Sequence, residues 1–359
     1  MNQTPRTLLN RIDPGASLLI ETINNVDDWA ALAADWKQLV KRNHQNTPFL
    51  TYEFQRAWWQ HLGGGEWQDA HLHILVGRDE EGRLLGIAPL FHARTAQGEW
   101  ALHFIGSHEI ADFLDFIAQP ADLEAFIQAV FTHLRDAETL LWQRLDLYNL
   151  VDGSASQPIL EKVAQELGWS YEAETLQPSP YIVVPETLDA YIEKLDSKQG
   201  HELRRKLRRA ARNPEPLALE IISDRALLPV ALQDFFALMA QEANKASFLT
   251  SAMRAQMETI ALTAFDGGWL QLAFLKCSSR RIAGYLNFDY DNCIWAYNAG
   301  FNSDDSELSP GWLIMAEMMR WSADHDRRIF DLMRGGEEYK YRFGAVDRFV
   351  QRAVITRAA

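Results

Sequence analysis

The stretch RRIFDLMRGGEEYKYRFG, Arg327 to Gly344, decides how this chain is read. It begins as a strand, with Ile329, Phe330 and Leu332 apolar around Asp331. The strand stops at Gly335 and Gly336, because glycine lacks a Cβ and admits backbone conformations that other residues resist. Glu337, Glu338, Tyr339, Lys340, Tyr341 and Arg342 then follow without a gap. Open α/β sheets place their ligands just beyond the carboxyl ends of strands, where these acids, bases and phenols gather. The competing reading is a solvated amphipathic turn held by structural ion pairs, since such networks also collect charged groups.

Immediately upstream, Ser309-Pro310-Gly311 opens a helix expected over Pro310–His325. Serine is a good N-cap and proline suits the first helical position, while Gly311 lets a ligand come near. A helix start presents free N–H groups and the positive end of a dipole, a site suited to phosphate. Trp312, Met315, Ala316, Met319 and Ala323 form the apolar stripe of this helix and read as core. On the strand before it, Ile294–Phe301, Tyr297 and Asn298 point opposite ways. Either lines a cleft, or Tyr297 is core.

Further upstream a long helix is expected over Leu188–Arg212. From Lys194 to Arg212 it carries eight Lys and Arg against two acids, in a chain of formal net charge −14. Arg204, Arg205, Arg208, Arg209 and Arg212 share one face, and Leu203 and Leu207 another. Most such faces are simply solvated. In an acidic chain this one also suits an anion: a CoA phosphate, an anionic acceptor or a charged lipid surface. Between these elements lie a strand at Leu217–Ile222, helices at Leu228–Ala243 and Ser251–Phe265, and strands at Leu270–Lys276 and Arg281–Tyr290.

The chain has 359 residues, enough for two domains, expected over 1–185 and 186–359. Hydrophobic residues make up 47%, with 12 Trp and 18 Phe, ample for two cores. The negative charge argues against DNA or other non-specific nucleic-acid partners. Cys277 and Cys293 stand far apart with no metal-ligand spacing, so neither a disulfide framework nor a metal site is expected. Residues 1–17 read as a loose arm with no signal-peptide core, and no apolar run spans a bilayer. A cytoplasmic location is the expectation.

In the first half, helices are expected over Asp27–Arg42 and Glu53–Leu62, the second stopped by Gly63-Gly64-Gly65. Strands follow at Leu72–Val76, Arg83–Phe91, Trp100–Ile105 and Phe113–Ile117. After a helix at Leu123–Leu134 comes a strand at Arg144–Tyr148. LHILVGRDEEGRLLG, Leu72 to Gly86, then lines up without a gap on LQLAFLKCSSRRIAG, Leu270 to Gly284, at a constant offset of 198. Leu72/Leu270, Arg83/Arg281 and Gly86/Gly284 are identical, and Leu145-Asp146-Leu147 mirrors Phe330-Asp331-Leu332. Two unrelated β-hairpins could share such a pattern, but the shared element order favours a repeated α/β unit. The halves diverge after the aspartate strand: NLVDGSASQ in the first, RGGEEYKYRFG in the second. One working site, in the second half, is the simplest inference.

FDLMRGGEEYKYRFG, NAGFNSDDSELSPGWLIMAEMM, HELRRKLRRAAR, PFLTYEFQRAWWQHLG and GRLLGIAPLF together resemble the GNAT acyltransferase superfamily. More narrowly they resemble its CelD/BioF2-like branch, related to the FemABX peptidyltransferases. The resemblance covers nearly the whole chain. It implies an α/β (α+β) architecture of tandem GNAT-like domains, each a mixed sheet flanked by helices, the first non-catalytic. It implies acyl transfer, usually from acetyl-CoA or another acyl-CoA as cosubstrate, to an amine or hydroxyl of a small-molecule or cell-envelope acceptor, without a metal. Envelope or exopolysaccharide biosynthesis is the setting this suggests. The stretch NSDDSELSPG departs from the glycine-rich pyrophosphate loop of GNAT enzymes. It has one glycine and three acids, Asp304, Asp305 and Glu307, which would repel a pyrophosphate if they pointed inward.

Acyl transfer needs a base for the nucleophile and an acid for the leaving thiolate. Glu337 and Glu338 are candidate bases, and Tyr339 and Tyr341 candidate acids. Asp331 orients Arg334 or Lys340, or is a structural strand-end carboxylate. The expected catalytic set is Glu337, Tyr339, Asp331, Lys340 and Tyr341. Ser309, Gly311, Asn298 and Arg334 are expected at the donor, and Arg204, Arg205, Arg208 and Arg209 at an anion, with peripheral membrane contact one form this could take. Two rivals remain: an aminoacyl-tRNA-dependent ligase of FemABX type, and a non-catalytic module of a polysaccharide assembly.

Overall fold

The computed structural model describes residues 18–106, 109–137 and 139–357; the arm expected over 1–17 lies outside them. The chain forms two compact units that interleave along the sequence. Unit 1 takes the chain up to Tyr52, then Gly64–Glu174 and the stretch from Gln351; unit 2 takes Glu53–Gly63 and Thr175–Val350. The change of unit near 175, the inserted helix and the returning strand differ from two contiguous halves meeting at 185.

In chain order unit 1 holds β1 (Leu19–Ile23), α1 (Val26–Ala31) and α2 (Ala33–Val40). The next helix, α3 (Tyr52–Leu62), serves unit 2. Unit 1 continues with β2 (Gln68–Leu72), β3 (Ile74–Arg78), β4 (Leu84–Ala88), β5 (Leu90–Arg94), β6 (Trp100–Phe104) and β7 (Ile117–Ala118). Then come α4 (Leu123–Asp136), β8 (Arg144–Val151), α5 (Ser156–Glu166) and β9 (Ser170–Pro178). Its strands form two sheets, β1-β3-β4-β7 and β2-β5-β6-β8-β16-β9, where β16 spans Phe349–Thr356. The divide falls at Pro89, between β4 and β5, where the missing N–H removes a ladder bond. At α4, Phe126, Ile127, Val130, Phe131 and Leu134 recur at helical spacing and are all buried, which fixes the face turned to the core.

Unit 2 holds β10 (Tyr181–Val183), α6 (Leu188–Lys194), α7 (Ser197–Ala211), β11 (Leu217–Ile221), α8 (Leu228–Met239), α9 (Ala243–Phe248) and α10 (Ser251–Asp266). Its second part is β12 (Leu270–Cys277), β13 (Arg280–Tyr290), β14 (Cys293–Phe301), α11 (Pro310–Asp324), β15 (Ile329–Asp331) and α12 (Glu338–Arg342). One mixed sheet runs β10-β15-β14-β13-β12-β11. Its core gathers Leu203, Leu275, Ile282, Tyr285, Ile294, Met315, Met319 and Phe330. Cys277 and Cys293 are free and buried.

Several elements differ from expectation. The helix expected over Asp27–Arg42 is two helices meeting at Leu32, and the strand expected over Arg83–Phe91 divides at Pro89. The helix expected over Leu188–Arg212 breaks at Leu195, where the backbone is extended, because the Asp196 carboxylate accepts the Gln199 N–H at 3.0 Å and starts a new helix. The helix expected over Leu228–Ala243 stops at Met239, and α9 follows it. The strand expected over Phe113–Ile117 shrinks to Ile117–Ala118. Gly63, Gly64 and Gly65 all take positive φ and end α3 as read. No described helix is long and apolar enough to cross a membrane.

The two aligned hairpins pair one residue out of step with the constant offset. Gly86 stands opposite Gly77 on β3, and Gly284 opposite Phe274 on β12. A Cβ at Gly86 would meet the Phe126 ring of α4 at 2.3 Å, and one at Gly284 would meet Phe274 and Phe235 at 3.0 and 3.1 Å. In both units a glycine lets an aromatic ring lie against the second hairpin strand.

Candidate active site

β14 and β15 pair in parallel through Cys293↔Ile329, Ile294↔Phe330 and Trp295↔Asp331. β15 ends there, while β14 runs on to Phe301. Among the described residues no strand pairs with this extension on its β15 side. An extended amide-bearing chain could bond to such an edge. At its end, Gly300 touches α8: a Cβ there would fall 2.4 Å from the Met239 nitrogen and 2.6 Å from the Leu238 carbonyl carbon.

A cavity of about 490 Å³ opens between the end of α8, the end of β14 and the first turn of α11. Leu238, Met239, Phe301 and Trp312 give it apolar walls; Lys206, Lys245, Glu242, Ser303, Ser306 and Ser309 give it polar ones. Lys206 Nζ donates to Ser309 Oγ at 2.7 Å and lies 5.5 Å from the Trp312 ring centroid. Lys245 Nζ donates to the Ala299 carbonyl at 3.0 Å and pairs with Glu242 at 3.0 Å.

The acids of the NSDDSELSPG stretch do not line this cavity. Asp305 accepts both Arg280 guanidinium nitrogens at 3.1 and 3.2 Å and the Asn302 amide at 2.8 Å. Glu307 is 87% exposed and reaches Arg209 at 3.4 Å. The segment Ser303–Leu308 coils into a 3-10 helix and Ser309 follows in the left-handed region, φ 57°. Ser309 therefore makes no side-chain cap, contrary to expectation, and its hydroxyl serves Lys206 instead. Pro310 has no N–H, and the Trp312 N–H bonds the Ser309 carbonyl at 3.0 Å. This helix start thus offers an anion fewer donors than most. A Cβ on Gly311 would meet the Phe301 ring at 3.4 Å, an ordinary contact, so crowding by the protein does not demand glycine there.

The turn after β15 is tied together by its own charges. Asp331 is fully buried; it accepts the Met333 N–H at 2.9 Å and pairs with the Arg348 guanidinium. Arg348 is thus a partner of Asp331 that the sequence reading did not name, and the Lys340 ammonium goes to backbone carbonyls and Glu337. Met333 takes φ 62° and Gly335 φ 110°. Lys340, only 2% exposed, donates to the carbonyls of Met333, Arg334 and Gly335 at 3.0, 2.7 and 3.0 Å and pairs with Glu337 at 2.9 Å. An ammonium has three hydrogens, and here three carbonyls take them. Glu338 pairs with Arg342 at 2.8 Å, and Tyr341 donates to Asp347 at 2.8 Å.

Tyr339 differs from these neighbours. It is 46% exposed, and its ring meets Phe343 edge-on at 6.3 Å. Phe343 in turn meets Trp312 at 4.8 Å, which connects α12 to the cavity wall. Loss of water around the phenol, then the charges of Glu337 and Glu242, push its ionisation up. The phenol stays protonated near neutral pH and can give a proton.

Of the expected donor residues, Ser309 and Gly311 line the cavity; Asn298 and Arg334 do not. Tyr297 packs on Phe288 at 5.2 Å and Phe54 at 6.0 Å, on the aromatic core side. Lys206, Glu242 and Lys245 were not singled out from the sequence. On α7, Arg205 forks Glu202 at 2.8 and 2.7 Å, and the bonds from Arg205 and Lys206 hold that carboxyl down at about 2. Arg205, Arg208, Arg209 and Arg212 border a depression of about 440 Å³.

Residues 197–341 match the family model of the acetyltransferase (GNAT) domain. This part of the chain is therefore similar to GNAT domains, in line with the resemblance its motifs carry. The whole fold is shared with FemX, whose crystal structure aligns over 92% of this chain and 96% of its own, with TM-score 0.62 and 11% identity. A conserved protein of unknown function from Bacteroides thetaiotaomicron VPI-5482 aligns over 94% and 100%, with TM-score 0.58 and 12% identity. The C-terminal domain (DUF2156) of a putative lysylphosphatidylglycerol synthetase from Agrobacterium fabrum aligns over 92% and 93%, with TM-score 0.54 and 15% identity. At these identities the likeness is one of fold. No curated protein matches the chain significantly.

Proposed function

We propose that the protein is an acyltransferase of the CelD/BioF2-like kind, moving an acetyl or other acyl group from acyl-CoA to an amine or hydroxyl. The chemistry lies in unit 2, and unit 1 is its non-catalytic companion. The observation that carries this reading is the cavity at the start of α11, apolar on one side and lined by Lys206 and Lys245 on the other. An acyl group borne on an anionic carrier asks for that combination. The loop acids Asp305 and Glu307 turn to Arg280 and Arg209 and so do not compete for Lys206 and Lys245.

Glu242, in the wall, takes the proton from the acceptor; the freed nucleophile attacks the thioester carbonyl. Collapse breaks the carbon–sulfur bond, and Tyr339 protonates the departing thiolate. Positioned acid–base groups of this kind contribute ~10²–10⁴ in rate. Asp331, Glu337 and Lys340 act as positioning residues that hold the Met333–Gly335 turn, and Tyr341 is anchored by Asp347. The acceptor is a small molecule or a cell-envelope component, met in the cytoplasm.

The test is free-thiol release from a panel of acyl-CoAs, with amine and hydroxyl acceptors added or withheld. Acceptor-dependent release supports the reading. No release from any acyl-CoA, together with no CoA binding by calorimetry, overturns it. A second reading, an aminoacyl-tRNA-dependent ligase, is favoured by one feature: Ser303–Leu308 is a coiled segment and no open glycine loop cradles a pyrophosphate. Its mark would be transfer from an aminoacyl-tRNA by protein that ignores every acyl-CoA.

A further inference from the structure

We propose that the arginine face of α7 holds the nucleotide phosphates of the donor whose acyl end lies in the cavity. The inference rests on the acyl-CoA reading and extends it to a site outside the cavity. Lys206 is in the cavity wall, and Arg209 lies three positions on along the same helix, a rise of about 4.5 Å. The depression bordered by Arg205, Arg208, Arg209 and Arg212 therefore begins where the cavity's cation leaves off. A donor with an apolar head and a polyphosphate tail spans the two.

The charges of this face are only partly answered. Arg205 is forked by Glu202, and Arg209 meets Glu307 at 3.4 Å. Arg208 and Arg212 have no carboxylate within ion-pair distance among the described residues, although the chain as a whole carries net charge −14. Guanidinium groups match phosphate oxygens two at a time, so two unanswered forks beside a hollow suit a phosphate ester. Glu307 is the local competitor. At 87% exposure it is held loosely, since solvent-exposed pairs are weak and screened. An incoming phosphate displaces this carboxylate from Arg209 and takes its place.

That arrangement predicts opposite signs for two surface changes. Adenosine 3′,5′-bisphosphate, titrated by calorimetry into the full chain, should bind at least tenfold more weakly to R208Q/R212Q and severalfold more tightly to E307Q. The salt dependence of binding should flatten in R208Q/R212Q, because fewer phosphate contacts remain to be screened. In turnover, wild type should prefer acyl-CoA over acyl-pantetheine, which lacks the nucleotide, and R208Q/R212Q should lose at least tenfold of that preference through KM. Equal binding of the bisphosphate by all three proteins, or weaker binding by E307Q, overturns the site. Wild type that uses both donors with one KM also overturns it while acyl transfer stands. Wild type that uses neither donor removes the acyl-CoA reading and this inference together.

Discussion

In unit 1 the strand before the helix and the strand after it, β6 and β8, pair in parallel through Ala101↔Arg144 and Leu102↔Leu145. In unit 2, β14 and β15 do the same around α11. Each second strand carries a buried aspartate answered by an arginine: Asp146 is forked by Arg352 at 2.6 and 2.9 Å, and Asp331 pairs with Arg348. The endings differ. β8 runs on to Val151, and the stretch after β6 folds over it, with the Asn149 amide donating to Ala111 O at 2.8 Å and Leu114 N–H to Asn149 O at 3.0 Å. Phe113, Leu114 and Phe116 fill that place and are buried. β15 stops after three residues, and Met333 turns the chain away. Both units have this parallel pairing and this charge pair; beyond it unit 1 fills the space with its own side chains and unit 2 leaves it open.

The sharpest way to break this comparison is at Lys340. Lys340→Met leaves three buried carbonyls without their donor and should cost about 3 kcal/mol of stability, read as a lower urea midpoint. Lost turnover at an unchanged midpoint would move Lys340 from the frame into the chemistry. Tyr339→Phe should do the reverse: kcat falls ~10²-fold, about 2.7 kcal/mol of barrier, with the midpoint kept. Wild-type turnover by this variant would assign the leaving-group proton to another residue. Gly300→Ala drives a methyl into the backbone of α8 and should cost about 2 kcal/mol; a fully stable variant would mean α8 can slide without loss.

The histidines separate the units by pH. His73 and His103, both in unit 1, are held down at about 4 by burial. The unfolded chain takes up their protons near 6.5, so stability is lost as pH falls from about 6.5 toward 4, on the order of 1–2 kcal/mol each at pH 5. His44 works the other way. Burial opposes its charge, but the bond and charge of Asp115 prevail and raise its pKa. Its contribution is complete below about 6.5 and lost as pH rises through the raised folded value. Hydrogen exchange at pH 7 and 5 should show β6 and β8 weakening more than β13 and β14. Equal weakening would place the acid-sensitive groups elsewhere. The smallest effect is expected at Gly311→Ala, within about 0.5 kcal/mol of wild type, and a larger loss of donor affinity than of stability there would bring the donor close to that turn.

The hairpins, the helix at Pro310 and the turn at Gly335 were legible because glycine, proline and alternation mark them directly. The roles inside the turn were not. Lys340 bonds backbone carbonyls, which no residue pattern encodes, and the partner of Asp331 lies 17 positions on. Glu242 and Lys245 stand at the start of a helix too short to show a period, and Lys206 is hidden among arginines. The break at Leu195 was missed because the apolar spacing continues across it while a single carboxylate cap decides the matter. The acids Asp305 and Glu307 looked hostile to a donor; only their pairing with Arg280 and Arg209 reveals where they point.

The position of β16 has a consequence for biosynthesis. It lies between β8 and β9 in the unit 1 sheet, yet Arg352 answers Asp146 across 206 residues, whereas Arg348 answers Asp331 across 17. A ribosome delivers β8 and β9 long before the strand that joins them. The unit that emerges first is therefore the one that closes last. Through most of translation it keeps two strand edges open and Asp146 without the Arg352 fork, a state that invites pairing with other chains. A nascent chain halted after Val350 would have everything unit 2 needs and lack the strand that completes unit 1.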